Sequence, residues 1–494
     1  MTDLHTDLLA RAIRRGVVRY APLPAHRIPH PSARAAIVQT LPEAHLDEPL
    51  LVSDEDHASR PIWLQVAMTA ANRLAPWTTR ARCGTPSEVE AELQGRFGEV
   101  LPVVRIPWPD ATSDAALSRF ARCGPGAHRL RRRTDGRPGF VLPMDQMAAL
   151  DVRPPFAPYG GDLYLDADFG VEGIRYGGRW TEPSQPSWEH VKLVFRSSTL
   201  GWVTVVDHLC VSHYGIANAL ALSTRRHLDP EHPLRRFLAP FVYRTATINH
   251  RSLQSLMPEG ALLHRAGALP WSELRRLYRM AGPEVRYRSL PDDLRDRGLH
   301  PDQLSSAEQA RLPFPVDGMA FWRCIEDFVQ DAMSGSVLLR ASLAGRHRRD
   351  VEAWWQAMDD AFGQTLPAFD DRSLGQVLTW LIVSVSALHG HVGYVAPYVR
   401  DPAFAGARVW RNATRIDAQN VLQLNTIAVA TGLAVPGIAD DFGHLMPDDH
   451  SRRAAGRLRG RLAALDLAIE QRNAERDAPL TSFQPRWVPC SVSR

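Results

Sequence analysis

The sequence predicts a mainly α fold with one minor β element, and three observations carry that reading. Long apolar-periodic segments, spaced to bury one helix face, follow one another from Trp188 almost to the end of the chain. Short alternating runs broken by Gly and Pro are confined to residues 139–183, as in Asp162-Leu163-Tyr164-Leu165-Asp166. A chain of 494 residues, 45% hydrophobic and 23% charged, can bury a sizeable core.

Taken in order, the first hundred residues are punctuated by proline, with helical pieces at Leu4–Arg15 and Pro61–Leu74. Ser113–Arg132 reads as a short helix followed by a loop, and Gly139–Pro183 as a small strand region. Asp162, Asp166 and Asp168 there suit a hairpin edge better than a calcium loop. His190–His227 is one long helical segment. Others follow at Pro233–Arg251, Ala320–Asp331, Arg349–Phe362, Ser373–Tyr394, Ala418–Ala430 and His450–Glu475. The stretch Val377–Ala396 is apolar enough for a membrane span, yet it carries Ser384, Ser386, His389 and His391, so a buried core helix is expected. No internal repeat stands out, and one domain over 1–494 is the economical organisation.

Composition excludes several function classes. A formal charge of +4 is small for this length and does not imply nucleic acid. Lys192 is the only lysine, which reads as genome composition rather than function. The five cysteines are scattered without a C-x-x-C pair, so a reducing, cytoplasmic setting is expected in place of a disulfide framework or zinc knuckle. The N-terminus shows no signal peptide. P-loop, G-x-G-x-x-G, G-x-S-x-G and H-E-x-x-H patterns are missing.

The chemistry-bearing residues are histidines in apolar surroundings. His208 and His213 lie in His208-Leu209-Cys210-Val211-Ser212-His213. Five residues on an ideal α-helix separate side chains by about 140°, too far round for one ion. A π-type turn would bring i and i+5 to one side, so joint metal binding demands a helix irregularity. Spacing alone leaves open two histidines satisfied separately. His389 ends the run Leu378–Leu388 and needs a hydrogen-bond partner or a metal, because burying an unpaired polar group costs about 1–3 kcal/mol. Imidazole suits ferrous iron.

Several ordered segments together resemble the lipoxygenase family, in a compact form without its N-terminal lipid-binding β-barrel. They include Ser113-Asp114 to Gly124-Pro125, Ala157-Pro158 to Asp166, and Trp188 with Val194-Phe195-Arg196-Ser197-Ser198. His232-Pro233-Leu234 through Ile248-Asn249, Leu290-Pro291-Asp292-Asp293-Leu294 and Trp322 with Ile325-Glu326-Asp327 continue the pattern. Ser386-Ala387-Leu388-His389 matches the third-ligand motif, and the chain stops at Pro489-Cys490-Ser491-Val492-Ser493-Arg494. The resemblance covers roughly residues 110–494, leaving 1–110 as a divergent helical and loop part and 185–494 as the iron-binding helical core.

What the resemblance implies is a lipoxygenase-type helical catalytic domain holding non-haem iron through His208, His213, His389 and the α-carboxylate of Arg494, with His232 structural. It implies a dioxygenase that abstracts hydrogen from a doubly allylic carbon of a polyunsaturated fatty acid and adds O2 to give a hydroperoxide. An iron-bound hydroxide, rather than a protein side chain, is the implied base. Arg251 and Ser252 would line the substrate channel, Arg251 holding a carboxylate, and Leu256 and Leu263 would flank the reacting pentadiene; a solvated arginine and two core leucines are the plain alternatives. Three departures bear on this. Gly393 stands where the family has a fourth side-chain ligand, usually Asn, His or Ser, which implies an open or water-filled position unless His391 fills it. Thr204 and Ala396 replace two glutamines, and the terminal residue is arginine instead of isoleucine. Because all three fall around the metal, an iron oxygenase acting on a specialised metabolite is the second expectation. A lipid-binding relative without turnover is the third.

Overall fold

A computed structural model of the chain describes residues 25–32, 35–38, 50–53, 85–98, 101–106, 110, 112–412, 417–431 and 436–492. The helical pieces expected at Leu4–Arg15 and Pro61–Leu74 lie outside the described residues. The fold is mainly helical with a small antiparallel sheet, as the sequence predicts.

Two short strands, β1 (Ala35–Val38) and β2 (Leu50–Ser53), pair with each other. The main sheet is a meander in sequence order: β3 (Arg131–Arg132), β4 (Phe140–Pro143), β5 (Asp162–Leu165), β6 (Val171–Tyr176) and β7 (Arg179–Thr181). It begins earlier than the expected 139–183 region, because Arg131 and Arg132 pair with Val141 and Phe140. Phe140, Leu142, Leu163, Leu165 and Ile174 turn inward and are fully buried. The β6–β7 turn is Gly177-Gly178, both at positive φ, the geometry a tight hairpin needs. The aspartates serve the sheet: Asp162 accepts from Met144 N and Asp145 N and pairs with Arg175, while Asp166 caps its own turn through Asp168 N and Gly170 N.

The helices that frame the interior are α1 (Asp114–Cys123), α2 (Trp188–Trp202), a π-helix π1 (Val203–Ala217), α3 (Asn218–His227), α4 (Pro233–Val242) and α5 (Thr245–Ser255). They continue as α6 (Pro313–Gly335), α7 (Gly345–Ala361), α8 (Asp371–Val383), a second π-helix π2 (Ser384–Leu388), α9 (His389–Gly393), α10 (Ala418–Thr431) and α11 (Asp449–Glu475). The segment read as one unit from His190 to His227 is a single rod, with π1 between α2 and α3. By contrast, the unit expected at Pro233–Arg251 is two helices. Tyr243 and Arg244 break it, and Arg244 takes a left-handed φ of 57° that no glycine announces in the sequence. Helices at Trp271–Met280 and Leu290–Asp296 were not read either, since only three and two of their residues respectively are buried.

α6 and α11 pack together around a buried carboxylate. Asp317, fully buried on α6, takes Arg472 from α11 and Arg476 from just past its end, so the charge is paired where an isolated one would be prohibitive. The candidate membrane span is the α8–π2–α9 rod, Asp371–Gly393, whose apolar window is 83% buried inside the protein. It is a core element, as expected from its serines and histidines. Beside it runs the last described segment. Pro489 abuts Gly390, Cys490 N bonds to Pro436 O, and Ser491 Oγ donates to the Tyr243 carbonyl left over at the α4–α5 break. Ser491 and Val492 are fully buried. The cysteines among the described residues (Cys123, Cys210, Cys324, Cys490) are free thiols.

Candidate metal centre

Both π-helices meet at the histidines. In π1 the widened turn carries His208 and His213 to one side, with ring centroids 4.8 Å apart. This is the irregularity their spacing demands. Ser212 supports the wide turn by donating its hydroxyl to the Asp207 carbonyl, five residues back, at 2.8 Å. π2 ends immediately before His389 and delivers that ring to the same point.

Three Nε2 atoms converge there. His208 and His389 are 3.1 Å apart, His213 and His389 3.1 Å, and His208 and His213 3.2 Å. The tautomer of one ring is fixed by its neighbours. Asn249 Nδ2 donates to the His213 carbonyl at 2.9 Å, which makes Asn249 Oδ1 the acceptor for His213 Nδ1–H, also at 2.9 Å. His213 Nε2 therefore presents a lone pair, and burial, opposed by the Asn249 bond, lowers the pKa of this ring to about 4. A buried lone pair facing two further imidazole nitrogens is the arrangement a cation would stabilise. A tetrahedral zinc with bonds of about 2.05 Å would space such nitrogens about 3.35 Å apart. A right-angled facial set at about 2.2 Å gives about 3.1 Å, nearer the observed triangle. The residues present could hold a metal ion.

Behind the triangle the polar groups are matched. The Asp207 carboxylate, buried next to His208, accepts from Arg129 Nε at 2.8 Å and His128 Nε2 at 2.9 Å. Burial pushes its carboxyl up, yet Arg129 and His128 outweigh that and hold it well below the usual carboxylate range. This pairing ties π1 to the turn Ala127–Arg129. Neither Asn249 nor Asp207 was assigned a role from sequence. Both act through contacts dozens of residues away, and only the position of Asn249 in the Ile248-Asn249 pair hinted at one.

On its open side the triangle faces a cavity of about 600 Å³, within the range of small-molecule sites. His208, His213 and His389 all line it, as do Ser252, Leu256, Leu263, Thr204 and Ala396. Ser252 hydrogen-bonds Tyr214 and donates to the Asn249 carbonyl, so the cavity wall connects through Asn249 to His213. Arg251 falls within α5, and its side chain lies outside the described residues. Arg494 also lies outside them. His391 does not join the triangle. Its Nδ1 is 2.9 Å from Ser482 Oγ, and its ring packs among Phe314, Phe483 and His128.

His232, His347 and Asp350 form a second cluster with metal-capable atoms. There His232 Nδ1 accepts the Leu234 N–H at 3.2 Å and so caps α4. The neutral ring then carries its proton on Nε2, which leaves no lone pair to offer. His347 and Asp350 are half exposed and 3.8 Å apart.

Comparison with known proteins agrees with this layout. The family model "Lipoxygenase" matches residues 178–398. A linoleate 9S-lipoxygenase 1 of Hordeum vulgare is 28% identical over 176 residues, 34% of this chain and 20% of that protein. The polyunsaturated fatty acid lipoxygenase ALOX8 of Mus musculus is 25% identical over 341 residues, 63% of this chain and 49% of that protein. The chain thus matches no more than about half the length of these relatives. An anaerobic crystal structure of a LOX variant in complex with arachidonate superposes with a TM-score of 0.72 at 14% identity, covering 93% of this chain and 79% of that one.

Proposed function

Because the chain belongs to the lipoxygenase family, we propose that it is a non-haem iron dioxygenase. It would take a hydrogen atom from a doubly allylic carbon of a polyunsaturated fatty acid and add O2 to form a hydroperoxide. The observation that carries the reading is the triangle of Nε2 atoms 3.1–3.2 Å apart on the wall of a 600 Å³ cavity. In this reading His208, His213 and His389 hold the iron, and the α-carboxylate of Arg494 is the donor the resemblance adds. The burial of Ser491 and Val492 close to the α4–α5 break is compatible with it. Iron bound by these groups supplies the one-electron exchange that lets hydrogen leave the carbon and later return to the oxygenated product.

The chain's own residues do the rest. Asn249 keeps His213 in the tautomer that presents its Nε2 lone pair, and the Asp207–Arg129 pair holds the turn that aims His208. Leu256 and Leu263 keep the reacting carbons away from water, and Ser252 leaves room at the wall for oxygen. Arg251 is the proposed anchor for a fatty-acid carboxylate. Residues 185–494 form the metal-binding helical core of this reading. A second reading, oxygenation of a specialised polyene or another activated C–H compound, is favoured by one observation: Thr204, Ala396 and Gly393 all line the cavity, so the departures from the family pattern face the substrate.

An oxygen electrode tests both. Iron-loaded protein should consume O2 with linoleate or arachidonate, with one conjugated-diene hydroperoxide per O2. Uptake with polyenes alone would select the second reading. No uptake with either class, at full iron content, would overturn the dioxygenase assignment.

A further inference from the structure

Gly393 ends α9 on the cavity wall. Its backbone is not left-handed, so its conformation does not call for glycine. The surroundings do. A Cβ built on Gly393 would lie 2.9 Å from His208 Nε2 and 3.4 Å from both His208 Cδ2 and Cε1. The contact is with the atom that forms the triangle, 3.1 Å from His389 Nε2 and 3.2 Å from His213 Nε2. Relieving the contact requires the His208 ring to shift at that nitrogen. The rings of His208 and His389 lie 4.9 Å apart and only 34° from parallel.

We propose that Gly393 is a specificity-determining residue of the metal centre: its missing side chain is the space in which the His208 ring sits. A side chain at position 393 would have to shift the His208 ring before it could act as a donor. This rests on the reading that the three histidines bind a metal.

The test is anaerobic titration of the full-length apo protein with Fe2+, followed by equilibrium dialysis, beside thermal melts of the apo forms. Gly393→Ala should bind Fe2+ about tenfold more weakly or worse, and Gly393→Asn no more tightly than Gly393→Ala. Apo Gly393→Ala should melt no lower than wild type, since alanine favours a helix over glycine. If it does melt lower, the same change in a His208→Ala background decides: recovery assigns the clash to the His208 ring, and no recovery overturns the proposal. Gly375→Ala, on α8, has nothing within 4 Å of its new Cβ and should bind as wild type does. Gly393→Ala or Gly393→Asn binding within about threefold of wild type would overturn the proposal while leaving the three-histidine reading intact. Wild type that binds no Fe2+ would overturn that reading, and this proposal with it.

Discussion

Two clusters among the described residues each bring together three metal-capable side chains, and they differ in where the protons sit. At His208, His213 and His389, an outside partner occupies the Nδ1 of His213 and leaves its Nε2 lone pair facing two more imidazole nitrogens. At His232, His347 and Asp350, a backbone N–H already occupies the His232 lone pair, and the other two groups reach solvent. Proximity of ligand atoms is common to both. A lone pair turned toward two further imidazole nitrogens separates a candidate metal centre from a helix cap.

The largest expected effect comes from the first cluster. His208→Ala, His213→Ala and His389→Ala should each weaken iron binding by about a hundredfold or more, because the neutral imidazoles dominate the set. His347→Ala should leave metal analysis unchanged at close to one ion per chain. Full iron retention in all three triangle variants, or loss of metal with His347→Ala, would reverse the comparison.

A smaller effect should follow from removing the group that fixes the tautomer. Asn249→Leu frees His213 to turn and should weaken metal binding about 10–100-fold, read by dialysis against a chelator. Unchanged affinity would mean that His213 needs no such partner.

The second cluster should speak through pH. Burial, and after it His347, lowers the His232 pKa from 6.5 to about 4. A depressed folded pKa gives stability that is complete above the unfolded value and lost as pH falls toward the folded one. Apo protein should therefore lose stability between about pH 6.5 and 4, with His232 contributing on the order of 1–2 kcal/mol. Denaturant midpoints for wild type and His232→Asn should converge across that window. A constant gap would show that His232 titrates alike in both states.

The parts legible in sequence were those written in local pattern. The i, i+5 spacing of His208 and His213 required a widened helix, and π1 supplies it. The Gly- and Pro-broken runs gave the sheet, and the serines and histidines in Ser373–Tyr394 marked a core rod rather than a span. What escaped depends on distant partners. Arg244 adopts a left-handed turn that no glycine announces, so one segment was read where there are two helices. Asn249 reaches His213 from 36 residues away, and the pairing of Asp207 with Arg129 spans 78. The closeness of Gly393 to the His208 ring, 185 residues away, is likewise not written in local pattern.

The width of π1 also constrains how this chain can change length. Each residue added to or removed from a helix swings everything beyond it by about 100°. Deleting one residue from Leu209–Ser212 would give the two histidines the i, i+4 spacing that an ordinary α-helix aligns unaided. If the turn stayed wide, the same deletion would swing His213, Tyr214, Asn218 and all of α3 together away from the buried faces they now present. Substitutions along π1 can be absorbed one side chain at a time. Insertions and deletions cannot, because the register of the histidines and that of the core beyond them are set by the same turn.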